Sequence, residues 1–496
     1  MEGQGFRDLQ AQLPDLLLHD ADGNDLLVLP SLSFEPRELA LVPGAHHYEE
    51  RQLFELVRLR QPRNRVVYVT SKLLPDLVVD MVLELLPGVP TSHARQRLRL
   101  FDTDDASLRP LTTKLLERPR LLQRIRAELR PGRSLMTCFL VGPLEQQLSE
   151  RLQLPLLGSD PSLAHWGSKA GSRELFQRCD LPHPRGTDLQ HDLEGLAEAT
   201  AALWERCGDL AEVVVKLNEG FSGEGNARLA LAPLELATLD GPGRRHRLRQ
   251  ALETLPMPAE DWKKALLPQQ GALVEEWLAA ADEVCSPSVQ GMIHADGRVE
   301  ILSTHEQVLG GSDGQTYQGC RCPARADYRL QLQQWGLRLG QELARLGALE
   351  RFALDTVARR RGDRWDLQAI EVNLRKGGTT HPQMALRFLS QGTLDWDSGR
   401  VLSPRGHELC YEATDTFSDP VLRGLLPLDL VDTVVGADLH YDALQERGSV
   451  FHLLGCLSEY GKLGFTSIGG SPAEAAALYR RTGETLLAAG RAAGHR

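Results

Sequence analysis

Two apolar runs, 352–358 and 365–373, flank a short charged stretch that turns at Gly362, and together they read as one antiparallel hairpin. Successive side chains of a strand point to opposite faces. In Ala369-Ile-Glu-Val-Asn373 this puts Glu371 and Asn373 on one face, alongside Trp365 and Leu367, with Ile370 and Val372 on the other. Pairing with 352–358 brings Asp355 to the same face. Two carboxylates and one amide oxygen then converge, a hard-oxygen set that suits Mg²⁺, which takes few protein ligands and shares its other sites with water and phosphate oxygens. The alternative is a solvated sheet face, and the apolar neighbours on both strands count against it.

A second constellation lies upstream. Lys216 closes an apolar strand and is followed by Asn218-Glu-Gly-Phe-Ser-Gly-Glu-Gly-Asn226, so Gly220, Gly223 and Gly225 leave backbone amides free to approach phosphate oxygens beside a fixed positive charge. No Gly-Lys-Ser/Thr follows, which excludes a Walker loop, and the strand-loop-strand setting excludes a Rossmann turn. Glu219 and Glu224 suit phosphate only if they turn away or meet the metal. Third, Leu273-Val-Glu-Glu-Trp-Leu278 is an apolar run broken by Glu275 and Glu276 and followed by Glu283. Its backbone edge can hold an adenine and the downstream carboxylate a ribose, although a half-buried strand accounts for it equally. Fourth, Asn373-Leu-Arg-Lys-Gly-Gly-Thr-Thr-His-Pro382 sets Arg375, two glycine amides, two hydroxyls and His381 directly after the metal strand, a dense group of donors for an anionic intermediate. His305 and His381 are the candidates for a base, and each serves as well as a structural hydrogen-bonding histidine.

Around these runs the chain changes grammar twice. Short apolar strands at 25–29, 65–70, 97–101 and 134–141 alternate with helical stretches and predict an open α/β layer in 1–157. From 158 to 400 long helices mix with hairpins: a helix over Leu193–Cys207, strands at 213–217 and 228–231, and the acidic hairpin. That is α+β rather than doubly wound. A third segment, 401–496, carries strands at 450–455 and 463–468, and a final helix with Ser471 and Glu474 as a capping box. At 496 residues, 42% hydrophobic and 25% charged, the chain supports two to four well-buried domains. A net charge of -11 gives no footprint for nucleic acid. The first ten residues lack an export signal, and the longest apolar run, near 135–144, is too short for a bilayer. The eight cysteines show no zinc spacing, since Cys320 and Cys322 have no second pair, so reduced thiols in the cytoplasm are expected.

Taken in order, Lys169, Lys216 with its glycine lid, Val274-Glu-Glu-Trp-Leu278, and Asp355, Glu371 and Asn373 resemble the ATP-grasp superfamily. More narrowly, Ser286-Pro-Ser-Val-Gln290, Ser303-Thr-His-Glu-Gln-Val-Leu-Gly-Gly311, Glu371-Val-Asn-Leu-Arg375, Gly377-Gly-Thr-Thr-His-Pro382 and Ser458-Glu-Tyr-Gly-Lys-Leu-Gly464 resemble peptide ligases related to the pheganomycin enzyme, from about residue 157 onward. The resemblance implies an N-terminal α/β domain, an ATP-grasp fold of two α+β subdomains with the nucleotide between them, and a C-terminal extension. It also implies a cytoplasmic carboxylate–amine ligase that uses ATP and Mg²⁺, acts on small molecules or peptides, and tolerates a homo-oligomeric state. Lys169 and Lys216 would hold phosphates, Glu275, Glu276 and Leu278 the adenine, Glu283 or Asp282 the ribose, and Arg375 the acyl phosphate. Where some relatives place a substrate arginine, two residues before the metal aspartate, this chain has Ala353. A kinase or a non-catalytic ATP-binding regulator are the rival readings.

Overall fold

The computed structural model describes residues 4–18, 23–34, 39–40, 42–220, 225–257, 261–278, 281–310 and 316–494. The first apolar runs form the strands Asp25–Leu29, Arg65–Thr70, Leu98–Asp102 and Ser134–Cys138, joined by Leu156–Leu157 in a five-stranded parallel sheet. The near-continuous apolar runs of the inner strands Asp25–Leu29 and Arg65–Thr70 follow from burial on both faces. Leu26, Val28 and Tyr68 enter one core, while Leu27, Leu29, Val67 and Met136 pack on the other side with Ile125 and Leu148. Across the sheet the order runs Leu98–Asp102, Arg65–Thr70, Asp25–Leu29, Ser134–Cys138, Leu156–Leu157. The chain therefore winds outward from Asp25–Leu29, then returns to its other side. The switch point lies between Asp25–Leu29 and Ser134–Cys138.

A three-stranded sheet follows, with Glu212–Leu217 between Asn226–Ala230 and Ala272–Glu276. The predicted helix Leu193–Cys207 covers it. Asp192 caps that helix by accepting from the Gly195 amide at 2.7 Å, and Gly208 ends it at φ 69°. Val213, Val215, Leu217 and Val274 face this helical layer. By strand alternation Val214, Lys216 and Glu275 face the opposite way, toward a cleft.

The largest sheet has eleven strands and opens with the acidic hairpin, Arg364–Asn373 paired with Glu350–Arg361. Pro287–Ile293, Val299–Gly310, Thr316–Cys322 and Glu408–Ser418 continue it, and Lys462–Gly469 with Gly448–His452 branches from Glu408–Ser418. Helix Arg329–Arg345 lies close against it. A Cβ at Gly340 would come within 2.6 Å of both Phe352 and Val299, so only glycine permits this approach. Helix Pro472–Gly494 starts as predicted, but with a shifted cap. Ser471 Oγ accepts from the Glu474 amide at 3.2 Å, whereas the Glu474 carboxylate reaches the Gly470 amide rather than that of Ser471.

The hairpin also corrects a facing. Gly362, at φ 60°, makes the turn, and Asp355 pairs with Glu371 as expected, but the register shifts between Asp355 and Thr356. Thr356 then faces Ala369, leaving Ile370 as an extra residue, a β-bulge. The bulge reverses the alternation on its far side. Leu367 and Ala369 join Val372 in the core instead of sharing a face with Glu371, and Ile370 lines the cleft.

One buried cation ties the parallel sheet to the segment after the hairpin. Lys376 Nζ donates to Thr137 Oγ1 at 3.0 Å and to the Cys138 carbonyl at 2.7 Å, and pairs with Glu350 at 3.1 Å. Lys376→Met leaves Glu350, among the described residues, with only the Arg351 contact at 3.9 Å, and is expected to destabilise the fold by about 3 kcal/mol. Urea unfolding checks this, and an unchanged midpoint would show the clamp to be idle.

Candidate active site

Four segments meet at a cleft of about 1320 Å³. Helix Lys169–Arg178 is fixed at its start by Ser168, whose Oγ accepts from the Gly171 amide at 3.1 Å. Asn218, just past the Lys216 strand, accepts from the Lys169 amide through its carbonyl and from the Ala170 amide through its side chain, each at 3.0 Å. One turn along the helix, Ser172 Oγ accepts from the Val372 amide at 3.0 Å. The three pieces named by sequence are thus hydrogen-bonded to one another, and their charges pair. Lys169 Nζ lies 2.5 Å from Glu371 Oε1, and Lys216 Nζ lies 2.5 Å from Glu275 Oε2. Arg173, which the sequence reading missed, donates to Glu275 Oε1 at 2.8 Å.

Glu371 and Asp355 face each other across adjacent strands and behave differently. Burial pushes the Glu371 carboxyl up, but Lys169, with Lys216 and Arg375, outweighs this and holds it below the ordinary glutamate range. Burial and the neighbouring Glu371 charge push Asp355 up to about 7. Both Asp355 oxygens accept from amides, Gln307 Nε2 at 2.8 Å and Asn373 Nδ2 at 3.0 Å. Two opposed, half-buried carboxylates and an amide make an all-oxygen donor set whose repulsion a divalent cation would relieve, so these residues fit Mg²⁺. Gln307 belongs to the 303–311 motif but was given no role there, because its partner lies 48 residues away on another strand.

The remaining candidates divide. Gly220, Gly225, Leu278, Glu283 and Arg375 all line the cleft, whereas Gly223 and Glu224 lie outside the described residues. Glu283 is held by Arg325 at 2.6 Å and Arg360 at 3.2 Å, while Asp282 turns away to accept from the Gly362 amide. Of those two carboxylates, it is therefore Glu283 that faces the cleft. Glu276 is engaged by Arg185 through two hydrogen bonds of 2.7 and 3.0 Å. The strand edge expected to meet a base is paired as far as Trp277. The Glu276 amide donates to the Arg185 carbonyl and the Trp277 amide to the Glu212 carbonyl.

Neither histidine is brought to the cleft. His381 is only 7% exposed and sits edge-on to His452 with ring centroids 4.0 Å apart. His305 is fully buried against the Tyr411 hydroxyl at 2.6 Å, and burial lowers its pKa to about 3. The residue type suggested a base. His381 is buried beside His452 and is not among the residues that line the cleft, although Gly377 to Thr380 are.

Over 483 residues the chain is 30% identical to the L-propargylglycine–L-glutamate ligase of Streptantibioticus cattleyicolor, covering 94% of each protein. The chain belongs to the ATP-grasp ligases. Residues 429–482 match the family described as the PGM1 C-terminal domain. Among solved structures, the biotin carboxylase domain of the Hydrogenobacter thermophilus 2-oxoglutarate carboxylase, in complex with MgADP, ADP and bicarbonate, superposes with a TM-score of 0.57 at 13% identity. It covers 92% of this chain and 89% of that one. Biotin carboxylase from Campylobacter jejuni gives 0.56 at 11% identity, covering 94% of both chains. These two share the fold. As an ATP-grasp ligase the protein is an ATP-dependent enzyme that forms C–N bonds between a carboxylate and an amine.

Proposed function

We propose that this ATP-grasp ligase activates the carboxylate of one small molecule and joins it to the amine of an α-amino acid. The observation that carries the reading is the opposed pair Asp355 and Glu371, set in one cleft with Lys169, Lys216 and Arg375. Lys169, Lys216 and the amides at Gly220 and Gly225 hold the triphosphate, and sequence alone adds Gly223 to that loop. The segment Glu275, Glu276 and Leu278 borders the base, and Glu283 the ribose. Asp355, Glu371 and Asn373 hold Mg²⁺. When bound, that ion neutralises phosphate charge.

In the first step a substrate carboxylate oxygen attacks the γ-phosphorus, and the bond from phosphorus to the ADP oxygen breaks. Lys216 and Arg375 stabilise the charge that this transfer spreads over the phosphate oxygens. In the second step the amine nitrogen forms a bond to the acyl carbon, the carbon–oxygen bond to phosphate breaks, and the amine's proton passes to the departing phosphate. Arg375 steadies the tetrahedral species. Enclosure of the cleft protects the acyl phosphate from water. The related Streptantibioticus enzyme is named for joining two amino acids, and this supports an amino acid as the amine partner here.

We further infer a cytoplasmic enzyme whose partners are small molecules rather than nucleic acid. The net charge of -11 and eight unpaired cysteines support this. Among the described residues no helix is long and apolar enough to cross a membrane.

Incubation with Mg·ATP and pools of carboxylic acids and amino acids tests the reading. ADP release should require one member of each pool, and the product mass should equal acid plus amine less water. A durable phosphorylated acceptor formed without amine would identify a kinase instead.

A further inference from the structure

The cleft has a second arm, away from the triphosphate residues, at the switch point of the parallel sheet. Leu32 and Phe34 follow strand Asp25–Leu29, and Phe139 follows Ser134–Cys138; all three line the cleft. In open α/β sheets this crevice beyond the carboxyl ends of the strands is where ligands bind. With Leu39 and Val42 these residues form an apolar wall.

Against this wall stand three buried charges. Arg51 Nη1 donates to Asp415 Oδ2 at 2.9 Å, with side chains 9% and 7% exposed. The Arg51 guanidinium also lies 4.4 Å from the Tyr48 ring and 5.2 Å from the Phe139 ring. Lys462 Nζ donates to the Tyr48 hydroxyl at 2.6 Å and sits over the same ring. All of Arg51, Asp415 and Lys462 line the cleft. Asp415 pairs with Arg51, and its charge also favours Lys462. Burying such charges costs stability unless something pairs with them. Arg51 Nε has no partner among the described residues.

We propose that Arg51 and Lys462 bind the α-carboxylate of the amine-donating amino acid, with Asp415 fixing Arg51 and the apolar wall receiving an apolar side chain. The proposal rests on the ligase reading above. It adds the substrate class: a free α-amino acid with an apolar side chain, its amine turned toward the Arg375 loop. That loop is adjacent, since the Lys376 amide donates to the Phe139 carbonyl at 3.3 Å. Nothing in the sequence joined these residues, which lie 364 positions apart in the case of Arg51 and Asp415.

The test uses the full chain, the carboxylic acid found by product mass, and apolar amino acids such as L-alanine, L-norvaline and L-leucine, each beside its neutral carboxamide. The wild type should prefer the free acid by roughly thirtyfold or more in kcat/KM. Lys462→Met should raise KM for the free acid by about that factor, leave KM for ATP within about twofold, and shrink the preference over the carboxamide to a few-fold. Arg51→Lys, which keeps the charge, should retain more of the preference than Arg51→Met. A variant that is merely misfolded loses acid and carboxamide alike, with the preference intact. That result, or a wild type that accepts both forms equally, overturns the subsite while leaving the ligase reading standing. If no amine of any kind stimulates ADP release, the ligase reading itself fails and the subsite with it.

Discussion

Glu371→Gln lowers amine-dependent ADP release by at least about a hundredfold, equivalent to roughly 3 kcal/mol of transition-state stabilisation. The substitution keeps the shape and removes the charge. Glu371 is the carboxylate that stays ionised, because Lys169, Lys216 and Arg375 together outweigh its burial. Its loss leaves Asp355 as the only carboxylate of the metal set. The same pair fixes a pH dependence. With its carboxyl raised to about 7, Asp355 holds a proton in the metal-free protein under conditions in which the unfolded chain has lost it. The group therefore makes the metal-free protein less stable as pH rises from the ordinary aspartate range through 7. Mg²⁺ must displace that proton, so apparent Mg²⁺ affinity should improve by roughly tenfold between pH 6 and pH 8. Titration of Mg²⁺ in the presence of ADP at both values measures this. Near-normal turnover of Glu371→Gln, with pH-independent Mg²⁺ binding, would sink the metal assignment.

Lys216→Met reduces kcat/KM for ATP by about a hundredfold, since it removes a fixed charge from a water-poor phosphate site. It also disturbs the fold. Glu275 is wholly buried, and burial raises its carboxyl, but Lys216 and Arg173 outweigh this and hold it below the ordinary glutamate range. With Lys216 gone, Arg173 alone compensates that charge, at an expected cost of about 2 kcal/mol. The two effects separate in the double variant Lys216→Met with Glu275→Gln, which should recover most of the thermal stability and none of the activity. A double variant that recovers activity would make Lys216 a structural residue only.

The sequence by itself determined the local pieces. Apolar runs located the acidic hairpin and the Lys216 strand, and the helix read over Leu193–Cys207 stands at those bounds. The likeness of ordered motifs then named the family. Such features depend on a few adjacent residues, so a linear reading captures them. Three things were decided only by tertiary structure. The bulge at Ile370 reversed the facing of Leu367 and Ala369, because a register shift depends on the partner strand. The His381 side chain, polar and next to the metal strand, was packed away against His452, since which face of a turn is buried depends on what covers it. Arg173, Gln307, Arg51, Asp415 and Lys462 became parts of a site through contacts between elements distant in the chain. No local pattern distinguishes a buried charge from a solvated one; that difference is made by the layers that close over it.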